Sequence, residues 1–385
     1  MLIRLVYSVI LFTLFITADA QVRIGVFYGN NCESALIRIS NSNCQLLLNG
    51  QNTISLEQGE ILFICRAGEK VAVSRYKHKG YLADSINLIS VSDSGYINLL
   101  NPSIPGDRGD YRGDFTFSSS LGKLKIINTL GMDDYISGVV QAEGGYKGHP
   151  EYFKTQAVIA RTYAYLHMGK HADEGYDLCD DVHCQAYHGR STVAAIDKAV
   201  KSTEGQVLTD IDSALVLTPF HSNCGGETVS SENVWLTSLP NLVSVFDPYC
   251  AFSRNALWEK DISRDEWLRY LQDKSGKVIN SPADLSFTQN SRMHSYRLGE
   301  ILIPLSVIRA DWSLRSTFFS ISDEGDNLHF SGRGYGHGVG LCQEGAMVMA
   351  TRDFNYKQIL NFYYHQVYLM NIKDVKVIIN DELSF

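Results

Sequence analysis

An α+β fold is predicted, with a small N-terminal antiparallel β module ahead of a larger α+β region. Two features of the sequence predict it. Between Val22 and about Leu100, short apolar runs alternate and are broken by Gly, Asn and Ser, as in antiparallel strands. Beyond Phe115, helix-spaced apolar residues interleave with further strand-like runs, the pattern of a mixed layer.

Bulk numbers narrow the function classes. Of 385 residues, 45% are hydrophobic and 20% charged, an ordinary globular balance. The length suits two domains on a rough prior of about 150 residues each. A formal charge of −8 and the lack of any basic tract exclude a nucleic-acid binder, because phosphate binding needs clustered Lys and Arg. An uncharged or carbohydrate substrate fits better than a polyanion.

The chain begins with the cationic start Met1-Leu2-Ile3-Arg4, an apolar stretch from Leu5 to Ile16, and the small-x-small site Ala18-Asp19-Ala20 before Gln21. Residues 1–20 therefore read as a removable signal peptide, which sends the protein to the periplasm or outside the cell. The apolar run is shorter than the roughly 18–20 residues of a membrane span, and no later stretch approaches that length. No transmembrane anchor is expected after cleavage; a retained N-terminal anchor is the alternative.

Residues 21–105 form the expected β module, with strands at Val22–Phe27, Ala35–Ile39, Cys44–Leu48 and Glu60–Ile64. Asn101 to Arg112, rich in Pro, Gly and Asp, reads as a linker; its Arg108-Gly109-Asp110 triplet is of a kind common by chance. The second domain, 106–385, opens with a strand at Lys123–Asn128. A helix follows from Pro150, which suits a first helical position, to about Met168. Further helices fit Ser191–Thr203, a segment after the capping box Ser263-Arg264-Asp265-Glu266, and Tyr356–Tyr364.

Four segments carry chemistry. Glu143 ends an apolar run and precedes two glycines; apolar neighbours disfavour its charged form, as a general acid requires. A solvated Glu at a loop start is the bland reading of the same residues. Around His337, Gly332, Gly334, Gly336, Gly338 and Gly340 alternate, which would strip one face of a strand. That face suits either the floor of a polysaccharide cleft, with His337 and Gln343 supplying hydrogen bonds, or close packing of two backbones. His221-Ser222 invites a nucleophile–base reading, yet adjacent strand residues point to opposite faces, so His337 would have to serve Ser222. Glu227 is a spare carboxylate that would permit ordinary hydrolysis if it faced Glu143.

In the fourth segment, His171 to His188, Cys179 and Cys184 with a His beside one of them and others close by offer a soft tetrahedral set for zinc. A Cys179–Cys184 disulfide is the competing reading in an exported chain. Among the other cysteines, Cys32 with Cys44 or Cys65, and Cys224 with Cys250, are the natural pairs, although spacing alone does not determine connectivity.

Met132 to Glu143, Lys154 to Ala164, Phe220 to Thr228 and Gly332 to Ala346 occur in an order and spacing that resemble the SpoIID/LytB family of stage II sporulation protein D and amidase enhancers. The resemblance runs from about Tyr111 to Tyr368. It implies a peptidoglycan lytic transglycosylase cutting between N-acetylmuramic acid and N-acetylglucosamine, on strands already stripped of stem peptides. It places the catalytic Glu, which follows Tyr-x-x-Gly-Val-Val-x-x, on Glu143. It implies glycan contacts at Arg161, Tyr163, His221, Ser222, Gly225, Gly226, His337 and Gln343, and a structural zinc on Cys179, His183 and Cys184 with His171 as fourth ligand. The amidase-enhancer branch implies the alternative, a non-catalytic peptidoglycan-binding protein that stimulates a cell-wall N-acetylmuramoyl-L-alanine amidase. One departure stands out: Gly144 occupies a position where the family commonly has Met.

Overall fold

The computed structural model describes residues 21–376 except 93, 105, 107, 236 and 280–283. The expected signal segment, residues 1–20, lies outside the described residues. Helices and strands mix as the α+β reading requires, with the antiparallel β module at the N-terminal end. Alternating burial along Ser34–Ser40 and Cys44–Leu48 follows the apolar alternation of their sequences.

Two sheets result. One has six strands in the order Arg108–Tyr111, Tyr96–Leu100, Ser34–Ser40, Ile61–Ala67, Lys70–Arg75 and Tyr81–Ala83. The other has seven, in the order Leu178–Cys179, Gln21–Val26, Lys123–Gly131, Asp114–Ser120, Ser85–Ser90, Cys44–Leu48 and Gln51–Leu56. Gln21–Val26 pairs antiparallel with Lys123–Gly131, so the sheet is continuous across the domain break expected at residue 105. One hydrophobic core accordingly runs from Val22 to Ile372. Alternation reveals Gln21–Val26, Ser34–Ser40, Cys44–Leu48 and Ile61–Ala67 but neither the other strands nor any partner. The expected linker differs too: Arg108–Tyr111 is a strand paired with Tyr96–Leu100, and the Asp110 carbonyl accepts from the Arg190 backbone at 2.7 Å.

A second core, unannounced by any composition shift, lies within residues 258–330 around Trp258, Trp267, Tyr296 and Phe330. It joins the sheet of Leu257–Ser263, Asn327–Arg333 and Phe319–Asp323 to the helix Arg264–Ser275. Ser263 caps that helix as its sequence predicts, accepting from the Glu266 backbone N–H at 3.4 Å, and Gly276 ends it in the left-handed conformation.

Three helices position the site: α1 (Met132–Gly144), α2 (Pro150–Leu166) and α3 (Ala194–Ser202). The helix α1 was not foreseen, because Gly138 and two acidic residues interrupt its apolar pattern. Gly138 is needed for close approach. A Cβ there would lie 2.2 Å from the Gly189 carbonyl oxygen and 2.6 Å from the Tyr187 ring. The loop Gln185–Gly189 therefore presses directly on α1. Gly138→Ala should gain up to about 1 kcal/mol of helix propensity and lose about 1–3 kcal/mol to overpacking. Net destabilisation in urea titration is the expected result, and a stabilised variant would refute the contact.

Candidate functional site

Glu143 occupies the last turn of α1, half-buried. Its Oε1 accepts the Ala186 backbone N–H at 2.8 Å, a bond made available by the loop that Gly138 admits. Burial raises the Glu143 pKa, the hydrogen bond from Ala186 opposes the rise, and nearby His188 opposes it more weakly. The two glycines do not loosen it. Gly144 is still helical, and the Gly145 N–H closes the helix on the Gln141 carbonyl at 3.1 Å.

Gln343, two hundred residues away, donates from Nε2 to the Glu143 backbone carbonyl at 3.0 Å. It begins the helix Gln343–Thr351, so this contact ties the glycine block to α1. Glu344 follows. Its carboxylate accepts from Asn223 Nδ2 at 2.6 Å and Asn255 Nδ2 at 2.7 Å. Buried Tyr152 feels both Glu143 and Glu344, and its hydroxyl donates to the Gly144 carbonyl at 3.4 Å. The second carboxylate of this neighbourhood is thus Glu344, whereas the Glu227 carboxylate accepts from Ser244 at 3.3 Å. Sequence reasoning missed Glu344, Asn223 and Asn255; the only signal was that Asn223 and Glu344 belong to the ordered blocks, and Asn255, outside them, had none.

The segments around His221 and His337 meet through the parallel pair Phe220–His221 and Leu341–Cys342. The two rings lie edge to face at 5.5 Å. His337 donates from Nε2 to the Phe220 carbonyl at 2.9 Å and accepts at Nδ1 from the Val339 N–H at 3.0 Å, which spends both nitrogens on backbone. His221 donates from Nδ1 to the Val339 carbonyl at 3.1 Å. Burial drives both pKa values down, that of His337 to about 4, so both rings are neutral near pH 7. Ser222 instead meets Asn255, whose Nδ2 donates to its Oγ at 3.0 Å. This arrangement gives the serine no histidine base. The glycine alternation does not make a bare-faced strand either: the strand stops at Arg333, and Gly334, Gly336, Gly338 and Gly340 all have positive φ, forming a tight loop. Gly225 is buried against Arg333, while nothing lies within 4 Å of a Cβ at Gly226.

Arg161 is placed differently from the expected glycan contact. Only 1% exposed, it donates from Nη1 to the Thr203 carbonyl at 2.8 Å and from Nη2 to Val200 at 3.2 Å and Asp133 at 3.0 Å. A guanidinium so engaged fastens α2 to α1 and α3, out of reach of solvent. Arg161→Ala should cost about 3 kcal/mol by stranding these buried acceptors. Denaturant unfolding checks this, and KM of the folded fraction should not change. Tyr163 is half-buried between Glu143 and the cysteines, each of which raises its pKa alongside the dominant effect of burial.

His171, Cys179, His183 and Cys184 converge. Their ligand atoms all lie within 4.8 Å of one another, with Cys184 Sγ 3.4 Å from His171 Nε2 and Cys179 Sγ 3.6 Å from His183 Nδ1. Tetrahedral zinc with ordinary Zn–S and Zn–N bonds sets sulfur and nitrogen about 3.5 Å apart. The other nitrogen of His171 meets Glu174 Oε1 at 2.6 Å, the carboxylate partner that metal-bound imidazoles commonly have. The N-terminal strand holds this loop: Arg23 pairs with Asp177 at 2.8 Å, and the Phe27 and Tyr28 N–H groups donate to Asp180.

A sequence model of SpoIID, described as "Stage II sporulation protein", matches residues 120–209, the stretch holding Glu143 and all four His/Cys residues. An uncharacterised protein of Brachyspira hyodysenteriae is 30% identical over 309 residues, covering 75% of this chain and 80% of that protein. The chain belongs to the SpoIID family. Two further relatives come from Bacillus subtilis. Its stage II sporulation protein D is 28% identical, over 62% of this chain and 74% of that protein. Its amidase enhancer is 28% identical over 60% of this chain, a match spanning only 39% of the enhancer's length. At the level of the SpoIID family, these relatives support a role at the cell wall. Among the described residues, no helix is long and apolar enough to cross a membrane.

Proposed function

We propose that this SpoIID protein is an exported lytic transglycosylase that cleaves peptidoglycan glycan strands between N-acetylmuramic acid and N-acetylglucosamine. The carrying observation is the Glu143 carboxyl, half-buried, raised in pKa by that burial and oriented by a single backbone N–H. With Oε1 held by Ala186, Oε2 is the oxygen free to carry a proton to the glycosidic oxygen as the C1–O bond breaks. The resulting carboxylate then takes the proton of the C6 hydroxyl, whose oxygen bonds to C1 and leaves a 1,6-anhydro end. No water enters. The commitment of Glu344 to two amide donors supports this over hydrolysis, which would need a second carboxylate free to activate water. Peptide-stripped strands are the proposed substrate.

In the same reading, His171, Cys179, His183 and Cys184 hold one structural zinc, which would clip a loop too short to make its own core. That loop includes Ala186, so the metal would act on Glu143 only through the backbone that orients it.

Similarity to the amidase enhancer favours a second reading, binding to peptidoglycan with stimulation of a cell-wall amidase. Incubation of the purified protein with peptide-free glycan strands separates the two. Anhydro-ended fragments in the mass spectrum are expected. Their absence, together with faster cleavage by an added amidase, would select the second reading.

A further inference from the structure

Cys224, Cys250 and Cys342 meet Asp247 in the main core, far along the chain from the His/Cys loop. Their three sulfurs and one carboxylate oxygen lie within 4.8 Å of one another, and all four residues are fully buried. Cys224 Sγ is 3.3 Å from Cys250 Sγ and 3.3 Å from Asp247 Oδ2.

The surroundings aim hydrogen-bond donors at the cluster. Cys342 Sγ accepts the backbone N–H groups of Cys224 at 3.3 Å and Gly345 at 3.4 Å, and it caps the helix Gln343–Thr351, where negative charge is favoured. Asp247 accepts from the Tyr363 hydroxyl at 2.9 Å and the Tyr249 N–H at 2.8 Å. A side chain at Gly345 would lie 2.4 Å from the Asp247 carboxylate, so the helix start is shaped around it.

What the cluster lacks, among the described residues, is a cation paired with its carboxylate. Among the described residues no Lys, Arg or His forms an ion pair with Asp247. Arg292 packs near by but directs its guanidinium to the Cys224 and Glu227 carbonyls, at 2.6 and 3.0 Å. A Cys224–Cys250 disulfide would use two sulfurs and leave Cys342 and the buried carboxylate hydrogen-bonded but without a counter-charge. Three soft sulfur donors and one oxygen, tetrahedrally few and already hydrogen-bonded from behind, match a thiophilic divalent ion.

We propose that Cys224, Cys250, Cys342 and Asp247 form a second structural metal site, for a divalent cation of the zinc class. The ion would join the turn after Asn223, the segment Asp247–Cys250 and the start of the helix whose first residue, Gln343, reaches Glu143. It would thereby fix one wall of the candidate site through the backbone.

Elemental analysis of the purified chain tests it. Cys342→Ser should lower the zinc content by about one ion per chain, and Cys179→Ser/Cys184→Ser, which removes the other set, should keep about one. In the unaltered protein, Cys224, Cys250 and Cys342 should resist maleimide until a chelator and denaturant are added, then all three label. This last measurement needs no variant to fold. An unchanged metal content in Cys342→Ser, or a Cys224–Cys250 bridge in a non-reduced digest of the native chain, would overturn the proposal. Loss of the His171 set alone would not affect it.

Discussion

Glu143→Gln should lower turnover of peptide-free glycan by about 10²–10⁴-fold, the range general acid–base groups contribute. The amide can still accept the Ala186 N–H, so the fold should persist with an unchanged or slightly higher melting temperature. The sign follows from the raised pKa. Burial makes the folded chain hold the Glu143 proton to higher pH than the unfolded chain does. Its contribution to stability is therefore fully present below the unfolded pKa and is lost as pH rises through the folded one. Activity follows the same limb, because the first step needs the protonated acid: kcat/KM should fall as pH rises through the Glu143 pKa. Retained turnover in Glu143→Gln, measured by anhydro-ended products, would remove this residue from the mechanism.

The second large effect is on stability. Cys184→Ser, or prolonged treatment with a strong chelator, should remove the ion proposed at the His171 set and loosen the loop carrying Ala186. A loss of about 3 kcal/mol would lower the melting temperature by about 4–5 °C, with activity falling alongside as the Ala186 N–H drifts from Glu143. Zinc added back to the chelated wild type should restore both. Differential scanning fluorimetry with and without chelator reads the effect. An identical melting temperature in both conditions, with no zinc released, would count against a metal there. The pKa directions of the two thiols are opposed, Cys184 drawn down to about 7 and Cys179 pushed up, each mainly by hydrogen bonding to the other. A bound zinc would take both as thiolates, so substituting either should release the ion.

The sequence by itself determined what depends on neighbours. Alternation located four of the nine described strands between Gln21 and Leu100, Ser263 and Pro150 marked helix starts, and the ordered blocks carried the family. The grouping of His171, Cys179, His183 and Cys184 was also legible, since a short loop brings such residues together whatever surrounds it. Tertiary structure alone decided the rest. Pairing of Gln21–Val26 with Lys123–Gly131 merged the expected module into the main core, and Gly138 let a loop reach Glu143. Arg161 became an internal brace, Glu344 became the neighbouring carboxylate, and three distant cysteines met one aspartate. Periodicity reports which face of an element is apolar; it carries no information on which other element covers that face. Contacts across one or two hundred residues are set by how the covered faces pack together, so they emerge only when the chain is folded.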